Sequence, residues 1–308
     1  MSTTFSIAGT VRIGSFGVIR AVGADAAGFL NGQLTNDIEK LGLGEARLAG
    51  YCSAKGRLLA SFIAWKTSPE EVLLACHASV LPATLKRLAM FVLRAKCKLS
   101  DATADVPLFG LAGAVASRAV GDLPVWGKRD DAAGQVVRLP DAAGVVRALV
   151  ASPSVAPEED LSLSAWQWLD VQSGIATIEA ATVEQFVPQM LNFELVGGVN
   201  FQKGCYPGQE VVARSQYRGT AKRRTFLFDI DGGASPGQEV FHSADPSQPA
   251  GLVANASPRP DGAGTSALVE VKLHALDGGS LHLASPDGAV LQRRELPYRV
   301  PIDADQAA

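Results

Sequence analysis

The pattern of apolar and polar positions changes character along the chain. From Phe16 to Val22 it reads as a strand, Gly23 marks a turn, and from about Asp25 the residues Phe29, Leu30 and Leu34 fall on one face of a helix. Residues 46–67, ARLAGYCSAKGRLLASFIAWKT, predict a hairpin turning around Ser53 to Gly56. EEVLLACH then reads as a strand, SVLPATLKRLAMFVLRA (79–95) as a helix and CKLSDAT as another strand, followed by PLFGLAG, a helix of small residues and VVRLP. Strand and helix segregate in this way in an α+β unit with helices packed on a mixed sheet.

Between about Ala151 and Asp160 the composition turns to Ser, Pro and acidic residues, which predicts a linker, and a second helical stretch begins near Ser164. From Thr225 onward short alternating strands are separated by DGGASPG, SPRPDGAG, LDGG and SPDG, the pattern of a small closed or sandwiched β domain. The string PGQEV occurs at 207–211 and again at 236–240; one short match is no repeat, and the second reads as a turn entering a strand.

Composition narrows the function classes. With 47% hydrophobic and 19% charged residues over 308 positions, the chain can bury a sizeable core and divide into two or three domains. A formal net charge of -3 argues against nucleic-acid binding through the overall field, so a polyanion would have to be met locally. No stretch approaches the roughly 18 apolar residues of a membrane helix and no secretory leader is visible, so the expectation is a cytoplasmic protein without a membrane partner. Four widely spaced cysteines with no CxxC pair predict reduced thiols.

Chemistry concentrates in residues 200–224, NFQKGCYPGQEVVARSQYRGTAKRR. Lys203 and Gly204 precede Cys205, and Pro207 suits the first turn of a helix through Gln209, Glu210 and Val211, so the thiol is expected near a helix N-terminus. The cations Lys203, Arg214, Arg218, Lys222, Arg223 and Arg224 stand against Glu210 alone, and their convergence would favour a reactive thiolate at Cys205. The competing reading makes Cys205 a buried loop residue and the cations a solvated face. Cys52, Cys76 and Cys97 sit in apolar strand contexts and read as core. One thiolate cannot hold an iron-sulfur cluster, so no stably bound metal is expected and any cluster contact of Cys205 would be transient.

KGCYPGQEVVAR (203–214) resembles the signature of the YgfZ family of folate-binding proteins, relatives of the T protein (aminomethyltransferase) of the glycine cleavage system. FLNGQLTND (29–37), CSAKGRL (52–58), WQWLDVQSGI (166–175) and QFVPQMLNFELVGGVNFQ (185–202) extend the resemblance in the same order. It implies a three-domain ring of the GcvT-like folate-binding type. The first domain would comprise residues 1–48 plus 155–224, the second, ferredoxin-like α+β domain 49–154, and a C-terminal all-β barrel 225–308. It also implies tetrahydrofolate or a derivative as cofactor and a role in the assembly or repair of iron-sulfur enzymes, including tRNA-modifying clients.

Folate needs an aromatic or apolar wall and cations for its tail. By the resemblance Trp166 is a folate contact and Phe16 stands where the family carries a second aromatic, here without an indole N–H. Asn31, Gln33, Gln209, Glu210 and Arg214 complete the candidate cofactor set, and Cys205 with Lys203 forms the candidate reactive pair. The T protein's acidic residue would fall near Ala83, yet residues 72–100 contain no Asp or Glu, which speaks against a classical aminomethyltransferase. Two alternatives stay open: a folate-dependent one-carbon transferase or demethylase, and an RNA-binding module using the basic segment 214–224 to contact tRNA.

Overall fold

The run EVLLACH shows no alternation because its strand is buried on both faces. In the computed structural model, which describes residues 7–131, 134–217 and 221–301, the chain opens with β1 (Gly9–Arg12), β2 (Phe16–Val22) and α1 (Ala26–Asn31). It continues through β3 (Ala46–Cys52), β4 (Leu58–Ser68), β5 (Glu71–His77), α2 (Leu81–Ala89) and β6 (Lys98–Asp101). These strands form an antiparallel sheet in the order β3-β4-β5-β2-β6, with β5 at its centre. Successive side chains of a strand point to opposite faces. Val72, Leu74 and Cys76 accordingly enter one core with Ile19 and Leu30, whereas Leu73 and Ala75 enter another with Trp65 and Val18.

The second core is closed by a second sheet. β7 (Leu108–Ala112), α3 (Ala114–Val120), β8 (Lys128–Asp131), β9 (Gly134–Ala142) and β10 (Val145–Ala151) follow, and their strands pair with the first strand in the order β1-β7-β10-β9-β8. α4 (Leu163–Gln172), capped by Ser162 Oγ accepting from the Ala165 amide at 3.2 Å, inserts Trp166, Trp168 and Leu169 into the same core. The outer face of this sheet is covered by α3 through Ala116 and Val120.

After α5 (Gln209–Tyr217) come β11 (Arg223–Ile230), β12 (Glu239–His242), β13 (Asp245–Pro258), β14 (Thr265–Lys272), β15 (Leu281–Leu283) and β16 (Leu291–Arg294). They form one antiparallel sheet, β15-β12-β13-β14-β11-β16. Its two edge strands are consecutive in the chain and a bridge between His282 and Val290 draws them together, so the sheet curls. Trp168 Nε1 donates to Ser266 Oγ at 3.1 Å and thereby ties α4 to β14.

Two sequence expectations change. The helix expected over 79–95 ends at Ala89, because the chain must return to the sheet edge. Lys96 N donates to Asp25 Oδ2 at 2.7 Å, and the Lys96 carbonyl passes so close to Gly23 that a Cβ there would lie 2.0 Å away. Met90, Phe91 and Leu93 are left exposed. The division expected at 48/49 is also crossed by the first sheet, in which β2 pairs along its whole length with β5 and β3 itself spans the boundary.

Candidate functional site

The segment 203–208 is held from both ends. Residues at a helix C-terminus leave carbonyls without partners, and the Lys203 ammonium fills that need: Nζ donates to the carbonyl of Asn31, the last residue of α1, and to that of Leu34 at 2.7 Å. The same Nζ lies 5.1 Å from the centre of the Tyr206 ring. Burial pulls the Lys203 amine down to about 8, against the opposing fields of Asp37 and Cys205. Lys203 is therefore a clamp on α1 rather than a free cation.

The other end is anchored by glycine. Gly208 has φ +79°, and a Cβ there would stand 2.4 Å from the Ser53 carbonyl and 2.6 Å from Gly56 Cα; a Cβ on Gly56, φ +71°, would meet Val211. The motifs CSAKGRL and KGCYPGQ, some 150 residues apart, thus lie in contact, and Tyr206 is buried between them with its hydroxyl pushed up by burial and by Cys52. Between the two anchors Cys205 is exposed. α5 starts at Gln209, so the thiol lies four residues ahead of it in irregular chain. The expected placement of Cys205 at a helix N-terminus with Pro207 in the first turn is corrected: the left-handed Gly208 needed for the hairpin contact postpones the helix.

The expected convergence of cations is corrected as well. Arg214 pairs with Glu210 along α5, both exposed; Arg223 is bonded to Glu270; and Arg224 is buried against Glu194 and the Gln189 carbonyl. Lys222 is exposed, and Arg218 lies outside the described residues. Among the described residues, Arg214, Arg223 and Arg224 are thus spent on carboxylates. Cys52 and Cys76 are buried, which pushes both thiols up to about 12, and burial raises the half-buried Cys97 too.

The aromatic candidates separate. Phe16 is half-buried, stands edge-on to His77 at 6.2 Å between ring centres, and lines a narrow cleft of about 50 Å³. Phe62, Ile63 and Trp126 form its other walls, and Arg147, Asp170 and Ser173 supply polar groups. Trp166 is not among them. It is 2% exposed, lies flat against Gly110, where a Cβ would be 2.6 Å from its ring, and carries the Arg147 guanidinium 5.3 Å from its centre. Arg147 in turn donates to Asp170 Oδ1 at 2.6 Å. Trp166 acts from behind the wall: it stacks the arginine that holds the carboxylate.

Burial raises Asp170 despite Arg147, and a third of its side chain stays accessible. A 2-amino-4-oxopteridine offers adjacent N–H donors that such a carboxylate accepts, and Phe16, Phe62 and Trp126 supply apolar walls for a flat ring, so the chemistry of these side chains suits a pterin. Asp170 sits four residues after Trp166 on α4, so helical spacing within WQWLDVQSGI carried that signal. For Arg147 and Trp126 the sequence carried none, since each reaches the cleft from another sheet or turn.

The remaining candidates lie elsewhere. Asn31 Oδ1 accepts from the Ile38 amide at 3.1 Å and its carbonyl serves Lys203. Gln33 is half-buried with Oε1 unpartnered among the described residues. Gln209 and Glu210 begin α5, and Arg214 follows one turn later. None of these five lines the cleft of Phe16.

Comparison with known proteins gives the family and the fold. Residues 3–128 match the GCVT N-terminal domain. The tRNA-modifying protein YgfZ of Edwardsiella ictaluri is 34% identical over 245 residues, covering 70% of this chain and 69% of that protein. Its namesake in Serratia proteamaculans is 30% identical over 243 residues, 73% of this chain and 72% of that protein. Among solved structures, the glycine cleavage system aminomethyltransferase T of Bartonella henselae superposes with a TM-score of 0.72 at 17% identity, over 96% of this chain and 87% of that one. At that identity the likeness is one of fold.

Proposed function

Because this chain belongs to the YgfZ family, we propose that it binds a tetrahydrofolate and supports iron-sulfur enzymes that modify tRNA, with the Cys205 thiol as its reacting group. The observation that carries this reading is the presentation of Cys205: it is exposed, while Cys52 and Cys76 are buried and Cys97 is half-buried. Lys203 and Gly208 fix the backbone on either side of it. A structural cysteine needs no such frame. Folate would be held by Asp170, oriented by Arg147, between the walls of Phe16, Phe62 and Trp126, and when bound would supply a carrier for one-carbon groups. The transferase alternative lacks a carboxylate over residues 72–100, where the T protein keeps one. Among the described residues no helix is long and apolar enough to cross a membrane.

The test uses a host deleted of its own family member and supplied with the wild-type chain or Cys205→Ala. Activity of an iron-sulfur tRNA-modifying enzyme is assayed beside tetrahydrofolate affinity. Normal folate binding by Cys205→Ala with no restored client activity is expected. Full restoration would make Cys205 structural and return the search to the cleft, where Asp170→Asn and Phe16→Ala should weaken folate binding about tenfold.

A further inference from the structure

A second cleft opens on another side of Trp126. It holds about 550 Å³ and is lined by Trp126, Asn36, Arg47, Asn200, Phe201 and Gln202, and by Glu45. Trp126 has φ +66°, a left-handed conformation that a bulky side chain adopts only under constraint. Its backbone is fixed in that state by its amide on the Arg138 carbonyl and its carbonyl on the Ala46 amide, both at 2.8 Å. The strain joins the two sheets and leaves the half-buried indole facing both clefts.

The chemistry of the second cleft differs from that of the first. Its charges cancel: Arg47 pairs with Glu45 at 2.9 Å and also donates to the Asp37 carbonyl. A carboxylate or phosphate tail therefore finds no free cation there. Its Asn36 amide is spent, with Nδ2 on the carbonyls of Leu48 and Gly197, both at 2.7 Å. Two amides are not spent. Among the described residues neither Asn200 Nδ2 nor the exposed Gln202 side chain has a hydrogen-bond partner, while Asn200 Oδ1 accepts from the Gln202 amide N–H at 2.8 Å. Two half-buried aromatic rings with unpaired neutral amides beside them suit a flat, uncharged heterocycle with a mixed donor and acceptor edge. Gln202 is also only three residues from Cys205, so their Cα atoms are at most about 11 Å apart.

We propose that this cleft receives an unstacked adenine of single-stranded RNA, stacked on Phe201 and Trp126 and read by the Gln202 amide, beside the Cys205 loop. The carboxamide matches adenine N6 and N7 as paired acceptor and donor; uracil offers N3–H and O4 to the same amide, so the preference for adenine comes from the larger purine face that stacks on the two rings. Unpaired RNA bases are commonly held on aromatic side chains in this way. The choice of RNA over a free nucleotide rests on the tRNA-linked function proposed above; the cleft chemistry does not.

The experiment measures binding of fluorescent A9 and U9 oligoribonucleotides to the full chain and to Gln202→Ala and Phe201→Ala, with tetrahydrofolate affinity in parallel. Gln202 is exposed, so its replacement is not expected to disturb folding. A9 should bind more tightly than U9. Gln202→Ala should weaken both A9 and U9 about fivefold, and Phe201→Ala should weaken both about tenfold. The salt dependence should be shallow, since no phosphate clamp is involved, and folate affinity should not move. Absence of A9 binding, equal binding of A9 and U9, or variants that bind A9 like wild type would overturn the proposal. So would a parallel fall in folate affinity, which would make the cleft an extension of the folate site. The oligonucleotide arms read this proposal and the complementation assay reads the other, so the two fail separately.

Discussion

Gly56 and Gly208 meet with no room for a side chain between them, and this contact fixes the thiol loop on the hairpin turn. Both have positive φ, +71° and +79°, so each is glycine for conformational as well as steric reasons.

Replacing Gly208 with alanine should therefore cost about 1–3 kcal/mol and release the loop. At Gly204, next to the thiol, an added methyl group would meet nothing within 4 Å, and the backbone there is not left-handed, so Gly204→Ala should leave stability near wild type. Thermal unfolding of the two variants checks this. Equal stability would mean that the hairpin turn yields to the added methyl group.

Lys203 has its amine lowered to about 8 by burial. Below pH 8 both folded and unfolded chains carry the proton, and the cost of burying the charge is present in full. Between about 8 and about 10.4 the unfolded chain binds more protons than the folded one, so the Lys203 contribution to stability rises with pH. The stability of wild type relative to Lys203→Met should thus increase from pH 7 to pH 9.5. Paired melts at both pH values read it, and a relative decrease would contradict the assigned burial.

The four cysteines should differ in reactivity. With an aromatic disulfide reagent at neutral pH, one thiol per chain should react fast, and Cys205→Ser should remove that phase. Cys97 should follow slowly, and Cys52 and Cys76, with thiols near 12, only after denaturation. A fast phase that survives Cys205→Ser would place the accessible thiol on another cysteine, and a wild type without a fast phase would show the loop to be closed in solution.

Arg224 and Arg214 look equivalent in sequence but not in the fold. Arg224→Met leaves Glu194 buried and unpaired, which should cost about 3–5 kcal/mol. Arg214→Met breaks an exposed pair within one helix and should cost about 0.5 kcal/mol or less. Denaturant melts would separate them. Similar losses would mean that the Arg224–Glu194 pair is solvated.

The sequence by itself determined most of the strands and helices, because periodicity and turn residues act locally. The hairpin at Ser53 to Gly56, the strands β2 and β5, the helix near Ser164 and the β-rich end from Thr225 follow from it. It also singled out Cys205, through the density of glycine and cations around one thiol. Only the tertiary structure decided how those groups are used. Lys203 turned from a thiol partner into a cap on α1, Arg223 and Arg224 from a basic surface into half-buried and buried groups paired with carboxylates, and Trp166 from a cleft wall into the support of Arg147 and Asp170. Each of these outcomes depends on which group stands opposite across a sheet or helix at least nineteen residues away. Charge neutralisation and burial are properties of such pairs, and no local pattern carries them.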